Sequence, residues 1–305
     1  MSHFNQGWVY EDRIDRAGMT LLEYYAERYT HSSRQDWLDR IQSGAISIDK
    51  IRVSDPEMPL QVGQVLAYHR PPWIEPEVSF EIRSLYEDQH LLILHKPSGL
   101  PVLPGAGFLE NTLWGWLRRE YAVPPVAVHR LGRGTSGVIV LAKTAAARSG
   151  LSKALRDRAI EKRYRALATG IPQVDDPFTI THRIGKVTYP RLGELYVATE
   201  QGKSATSHCV VLERDRIPGC TLLEVTIPTG RPHQIRIHLA AAGFPLWGDP
   251  LYGMGGVAID QNSVPGDCGY LLHAYEVCLT HPIENETLMI RSDPPTLLCP
   301  SYNQS

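Results

Sequence analysis

His129-Arg-Leu-Gly-Arg-Gly-Thr-Ser-Gly137 runs straight into Val138-Ile-Val-Leu-Ala142, and further along come Thr229-Gly-Arg-Pro-His-Gln-Ile-Arg-Ile-His-Leu239 and Gly248-Asp-Pro-Leu-Tyr-Gly253. The first is a basic, glycine-rich loop ahead of a short apolar run that reads as a strand. The second is a helix-like segment opened by Thr229-Gly230, where backbone N–H groups and Arg231 can meet a phosphate. Arg231, His233, Gln234, Arg236 and His238 all lie on it.

The glycines invite other readings, which the surrounding residues exclude. Gly132-x-Gly134-x-x-Gly137 has the letters of a dinucleotide fingerprint, which should leave a strand and enter a helix, with an acid about twenty residues on. Here the glycines lead into a strand, and Arg156 and Arg158 stand near where the acid belongs. Val138 occupies the place of the Walker lysine and of the last glycine of a nucleophile elbow. His233 and His238 are five apart with no glutamate after His233, so the zinc-protease pattern is absent. Neither a metal nor a nucleotide cofactor is expected.

Outward from these segments the pattern is mixed α/β over residues 80–292, and the fold class expected is α+β. Strand-like runs are Leu91 to Leu94, Val138 to Ala142, Tyr164 to Ala168, Ser207 to Leu212, Leu222 to Ile227 and Glu276 to Leu279. Helical stretches are Leu113 to Glu120, Ala145 to Arg158 and His233 to Ala242. Val174 to Gln201 is rich in turns and weak in periodicity. Residues 12–70 read as a separate unit of helix, helix, strand, strand: Leu21, Leu22, Tyr25 and Ala26 keep a helical spacing, and Ser32 or Ser33 caps a second helix that stops at Gly44. Three prolines between Pro71 and Pro76 make residues 71–79 a stiff linker. Residues 293–305 read as a fraying tail.

With 305 residues, of which 43% are hydrophobic, the chain can build one large core and one small one. Its apolar runs are too short to span a bilayer, and the N-terminus lacks the basic and apolar regions of a signal peptide. Five cysteines without a Cys-x-x-Cys pair point to buried thiols in a soluble, cytoplasmic protein. The net charge of −2 means that affinity for a nucleic acid must come from local patches. Such patches exist around Arg28, Arg34, Arg40, Lys50 and Arg52, and around Arg156 to Arg165, although runs of this kind are also the ordinary solvated face of a fold.

Five segments together resemble the RluA-type family of RNA pseudouridine synthases: His95-Lys-Pro-Ser-Gly-Leu-Pro-Val-Leu-Pro-Gly105, His129 to Lys143, Lys162-Arg-Tyr-Arg-Ala-Leu167, Thr229 to Leu239 with Gly248 to Gly253, and Leu272-His-Ala-Tyr275 through His281-Pro282. They occur in the family's order. The N-terminal unit resembles the S4-type RNA-binding domain. The resemblance implies a mixed, mainly antiparallel sheet flanked by helices, a monomer, and conversion of uridine to pseudouridine in ribosomal or transfer RNA without a cofactor. Such an enzyme must extrude the nucleotide from folded RNA.

By the same resemblance Arg130 is the arginine inserted toward the flipped nucleotide, Tyr164 the tyrosine packed on uracil, and Arg236 the arginine that pairs with the catalytic aspartate. His129, Thr135, Arg231, His233 and Gln234 are implied RNA contacts, as are Arg34, Arg40, Lys50 and Arg52 of the N-terminal unit. A tyrosine in a strand is equally at home in a core, and an arginine in a simple ion pair. The position of the catalytic aspartate is Gly132, which has no side chain to act as nucleophile or base. Two readings follow: an isomerase, or a silent RNA-binding homologue. A buried Arg236 then needs a substitute partner; Asp249, in a Gly-Asp-Pro turn, reads as structural. Asp15, Asp175 and Asp176 are further carboxylates of unfixed position.

Overall fold

The computed structural model describes residues 4–170, 177–190, 192–259 and 262–301. The chain divides into two compact units, one comprising Met1–Pro76 with Pro190–Gly193 and one carrying Glu77–Tyr189 and Glu194–Ser305.

The first unit contains β1 (Trp8–Arg13), α1 (Leu21–Arg28), α2 (Arg34–Gln42), β2 (Ile46–Ile48), β3 (Ile51–Val53) and β4 (Val65–Arg70). Both helices start on capping boxes, Thr20 with Glu23 and Ser33 with Asp36, which satisfy backbone donors that a helix leaves open. Leu21, Leu22, Tyr25, Trp37 and Ile41 pack on a sheet of order β1-β4-β2-β3. The expected start at residue 12 is corrected, because β1 begins at Trp8 and pairs with β4 along its length. The proline segment is also no free linker. Asn5 Nδ2 donates to Glu75 Oε1 at 2.6 Å, and Arg70 lies over the Trp73 ring, 3.5 Å from its centroid.

The second unit contains β5 (Arg83–Glu87), β6 (Leu91–Lys96), α3 (Leu113–Glu120), β7 (Val126–Ala127), β8 (Ser136–Ala142), α4 (Ala145–Arg156) and β9 (Glu161–Thr169). It continues with β10 (Phe178–Ile180), β11 (Ile184–Tyr189), β12 (Gly193–Ala198), β13 (Ser207–Ile217), β14 (Cys220–Thr226), α5 (Gln234–Ala241), β15 (Leu272–Thr280) and β16 (Thr287–Arg291). A sheet of ten strands runs β10-β13-β14-β9-β15-β8-β6-β5, with β16 on β15 and β7 on β8. β15 pairs with β8 in parallel; the other pairs are antiparallel, giving the mixed, mainly antiparallel sheet of an α+β fold.

Strand β8 is buried throughout, which explains its continuous apolar sequence. Leu92, Leu94, Ile139 and Leu141 face a core that includes Leu113, Leu117, Ile235 and Leu239, while Leu91, Ile93, Val138 and Val140 face Ala147 and Leu151 of α4. Gly137 sits at φ 106°, and a Cβ there would lie 2.2 Å from Ala274 O, so only glycine permits the junction with β15. The turn-rich segment after Val174 contains the separate hairpin β11-β12. The expected fraying of the tail is corrected up to Ser301: Leu298 is buried beside Leu167 and Leu222, and Arg216 donates to Cys299 O and Thr296 O. Among the described residues no helix is long and apolar enough to cross a membrane.

Candidate nucleotide pocket

The loop before β8, the start of β9, the segment between β14 and α5, and the residues leading into β15 enclose a cavity of about 690 Å³ within the second unit. His129, Arg130, Gly132, Thr135, Tyr164, Arg231, His233, Gln234 and Arg236 all line it. So do Arg133, Lys162 and Tyr270, which the sequence reading did not single out as site residues. Arg34, Arg40, Lys50 and Arg52 belong to the other unit. Among the described residues no aspartate or glutamate lines the cavity, so the field these residues set up is cationic.

The loop is held from below by Lys96. Its buried ammonium donates to Pro97 O, Leu100 O and Arg133 O at 2.8–3.2 Å, and burial draws its pKa down to about 7. Thr135 N–H donates to Gly132 O, closing a turn, and Ser98 Oγ donates to Gly134 O. Arg133 is fixed by Gly266 O and lies over Phe108. By contrast, Arg130 is exposed and makes no ion pair or hydrogen bond among the described residues. The side chain of the half-buried Lys162 likewise makes no ion pair or hydrogen bond among the described residues, and burial lowers its pKa. These two cations are free to meet phosphate.

Tyr164 belongs to both readings its sequence allowed. It packs in the main core, exposed by only 7%, and also lines the cavity. Its hydroxyl has no hydrogen-bond partner among the described residues, and burial pushes its pKa to about 12. A neutral phenol ring that lines the cavity can stack a base.

The segment Thr229 to Leu239 is not one continuous helix. His233 adopts left-handed backbone at φ 56° and α5 starts after it. Gln234 is corrected as an RNA contact, because all of its polar capacity is used internally. Its oxygen accepts from Thr229 Oγ1 and Arg231 N–H, and its nitrogen donates to Thr206 O and Ser207 Oγ. His129 Nε2 accepts from Val140 N–H at 3.1 Å; burial and then Lys162 pull its pKa to about 4, so it is a neutral brace of the loop. His233 is likewise held at about 4, by burial and then by Arg236. Arg231 Nε donates to Ser204 O, leaving the rest of its guanidinium toward the cavity.

Arg236 is 2% exposed and has a carboxylate partner, Asp249, whose two oxygens accept from Nε and Nη2 at 2.7 and 2.8 Å. Pro265 O takes another donor. The guanidinium lies between two rings, 4.2 Å from the centroid of Tyr270 and 4.9 Å from that of Tyr252. Asp249 also accepts from the backbone of Leu251 and Tyr252 and does not line the cavity. Its role is therefore structural. Asp15 is exposed in the first unit, and Asp175 and Asp176 lie outside the described residues.

Asp88, His281 and Glu284 come close enough together elsewhere in the second unit to suggest a metal centre. Much of their capacity is engaged within the turn: His281 Nδ1 accepts from Glu284 N–H, His281 Nε2 lies 3.0 Å from Asp88 Oδ2, and Asp88 accepts from Tyr86 Oη, His90 N–H and Leu91 N–H. The group closes a turn.

Residues 90–241 match the family described as RNA pseudouridylate synthase. An uncharacterized RNA pseudouridine synthase of Synechocystis is 44% identical, over 92% of this chain and 96% of the relative. The ribosomal large subunit pseudouridine synthase D of Pseudomonas aeruginosa is 34% identical, over 79% and 75% respectively. A solved human structure, RNA pseudouridylate synthase domain containing 1, superposes with a TM-score of 0.57 at 24% identity, over 73% of this chain and 87% of that one, a likeness of fold.

Proposed function

The chain belongs to the RNA pseudouridine synthase family, and from that premise we propose that it isomerises uridine to pseudouridine in structured ribosomal or transfer RNA, holding the extruded nucleotide in the cationic cavity. The observation that carries the reading is the convergence of Tyr164, Arg130, Lys162 and Arg231 on one cavity of nucleotide size. Tyr164 offers a flat face to the base, and the free cations offer phosphate contacts that hold the strand while the base is out of its stack. Relatives named for the large ribosomal subunit favour ribosomal RNA.

The first unit is proposed as an S4-like grip on the RNA backbone. Two capped helices lie before the β2-β3 hairpin, with Arg34, Lys50 and Arg52 exposed. Arg40 is tied more closely to the fold, stacked on Trp37 and Tyr68 and bonded to Ser32. Removing residues 1–76 should flatten the salt dependence of RNA binding, and an unchanged slope would sink this assignment.

One observation favours a second reading, a silent RNA-binding homologue: Gly132 supplies no carboxylate, and among the described residues none takes its place in the cavity. The deciding experiment maps pseudouridine in total RNA incubated with and without the protein. New pseudouridine at defined positions supports the isomerase. RNA that is bound but unmodified supports the silent homologue.

A further inference from the structure

Gly132 and Gly134 are not glycines for the sake of backbone conformation, since neither has a positive φ. They are glycines for space. A Cβ on residue 132 would lie 2.8 Å from Tyr270 Oη, and one on residue 134 would lie 3.0 Å from two carbons of the Tyr270 ring. The tyrosine therefore rests directly on the Gly-x-Gly backbone, over the ground from which a side chain at position 132 would project. From another side its ring meets the guanidinium of Arg236, itself immobilised by Asp249. Loop, ring, guanidinium and carboxylate form one packed stack.

The hydroxyl at the end of this ring makes one hydrogen bond among the described residues, with Thr135 Oγ1, at the long distance of 3.3 Å. Both residues line the cavity. Two hydroxyls together offer two donors and four lone pairs, so one weak mutual contact leaves capacity directed at whatever enters. Burial holds the phenol neutral, so it can donate a hydrogen bond but cannot do the work of a carboxylate base. Of the other neutral polar groups of the cavity, Gln234 is saturated and His129 accepts from the chain, whereas the Tyr164 hydroxyl and the His233 ring make no hydrogen bond among the described residues.

We propose that Tyr270 fills the position vacated at residue 132 and recognises the flipped base, its hydroxyl donating a hydrogen bond to a carbonyl oxygen of uracil. This rests on the reading of the cavity as a nucleotide site. Uracil presents two such oxygens, and a neutral O–H held on a rigid ring meets one without the desolvation cost of a charge. Tyr164 then supplies the stacking face and Tyr270 the polar contact.

Binding of uridine 5′-monophosphate, followed by NMR titration of the full-length chain, tests the assignment, with ribose 5-phosphate as the ligand that lacks the base. The wild type should bind the nucleotide more tightly than the sugar phosphate. Tyr270→Phe keeps the ring and its contact with Arg236, and should weaken nucleotide binding about tenfold, the upper range for one neutral hydrogen bond. Its affinity for ribose 5-phosphate should not change. Gly132→Ala keeps the phenol but displaces its hydroxyl, and should weaken nucleotide binding in the same selective way even if Tyr270→Phe proves too unstable to titrate. A wild type that prefers uridine 5′-monophosphate, with both variants unchanged, overturns the role of Tyr270 alone. A wild type without preference for the base overturns the nucleotide reading of the cavity, and this inference with it.

Discussion

Arg236 and Asp249 form a bidentate pair in which both side chains are almost wholly buried, 2% and 1% exposed. The pair stands thirteen residues apart across α5 and the Gly-Asp-Pro turn, and it supplies the neutralising charge that position 132 does not. Asp249→Ala should destabilise the protein by about 3–5 kcal/mol, the usual cost of leaving one member of a buried pair uncompensated. Asp249→Asn keeps one acceptor and should cost less. Urea unfolding followed by fluorescence reads both; a loss below about 1 kcal/mol for the alanine variant would mean that Arg236 is solvated by another route.

Tyr164 separates stacking from packing through two variants. Tyr164→Phe removes a hydroxyl without a protein partner, so both the thermal midpoint and RNA affinity should stay close to wild type. Tyr164→Ala removes a core ring as well as a stacking face. It should lower stability by about 3–5 kcal/mol and weaken RNA binding by about 1–3 kcal/mol. Affinity that survives in the folded fraction of the alanine variant would leave Tyr164 as core alone.

Acid should unfold the protein through its buried histidines. His273 Nε2 donates to Ser292 O and its Nδ1 accepts from Ser136 Oγ; His238 repeats the arrangement with His182 O and Ser207 Oγ. Each ring is satisfied as a neutral tautomer, and burial holds both near pKa 4. Because an unfolded histidine titrates near 6.5, the unfolded chain binds more protons between these values. Stability conferred by these groups is present above about pH 6.5 and lost as pH falls toward 4. His273→Gln should flatten the pH dependence of the urea midpoint in that window, and an equally steep profile would exclude His273 as a contributor.

How much of this was legible beforehand follows from the range of the forces involved. The six strand runs read from the sequence each overlap an observed strand, because alternation and apolar continuity are local signals. The short strands β7 and β10 carry too few residues for a pattern, and β1, exposed along nearly all of its length, has no apolar alternation; all three are fixed by their partners. The tail read as frayed because its anchors, Arg216 and Glu213, lie more than eighty residues away in sequence. In the site, the resemblance to the family pointed to Arg130, Tyr164 and Arg236, but Tyr270 could not be found that way. Its importance comes from a contact with Gly132 and Gly134, and the only trace in the sequence is that two glycines stand where backbone geometry needs none.

That contact also decides what restoring the carboxylate would do. With Arg236 unpaired, Gly132→Asp would re-form an ion pair and raise stability; with Asp249 in place, that gain is gone. The new Cβ would meet Tyr270 Oη at 2.8 Å and Thr135 Oγ1 at 3.3 Å, and the ring cannot retreat freely because Arg236 lies against it. Backbone strain is not the obstacle, since Gly132 has no positive φ. Gly132→Asp should therefore destabilise the fold by about 1–3 kcal/mol, the ordinary cost of overpacking. Replacing the tyrosine in the same chain, Gly132→Asp with Tyr270→Leu, opens room for the carboxylate. The double variant should be more stable than the sum of its single variants predicts, by about 0.5–3 kcal/mol of coupling. It should also form more pseudouridine than the wild type on the same RNA, because it returns a carboxylate to the cavity. Strict additivity in the unfolding free energies would show that Tyr270 does not occupy the space of residue 132.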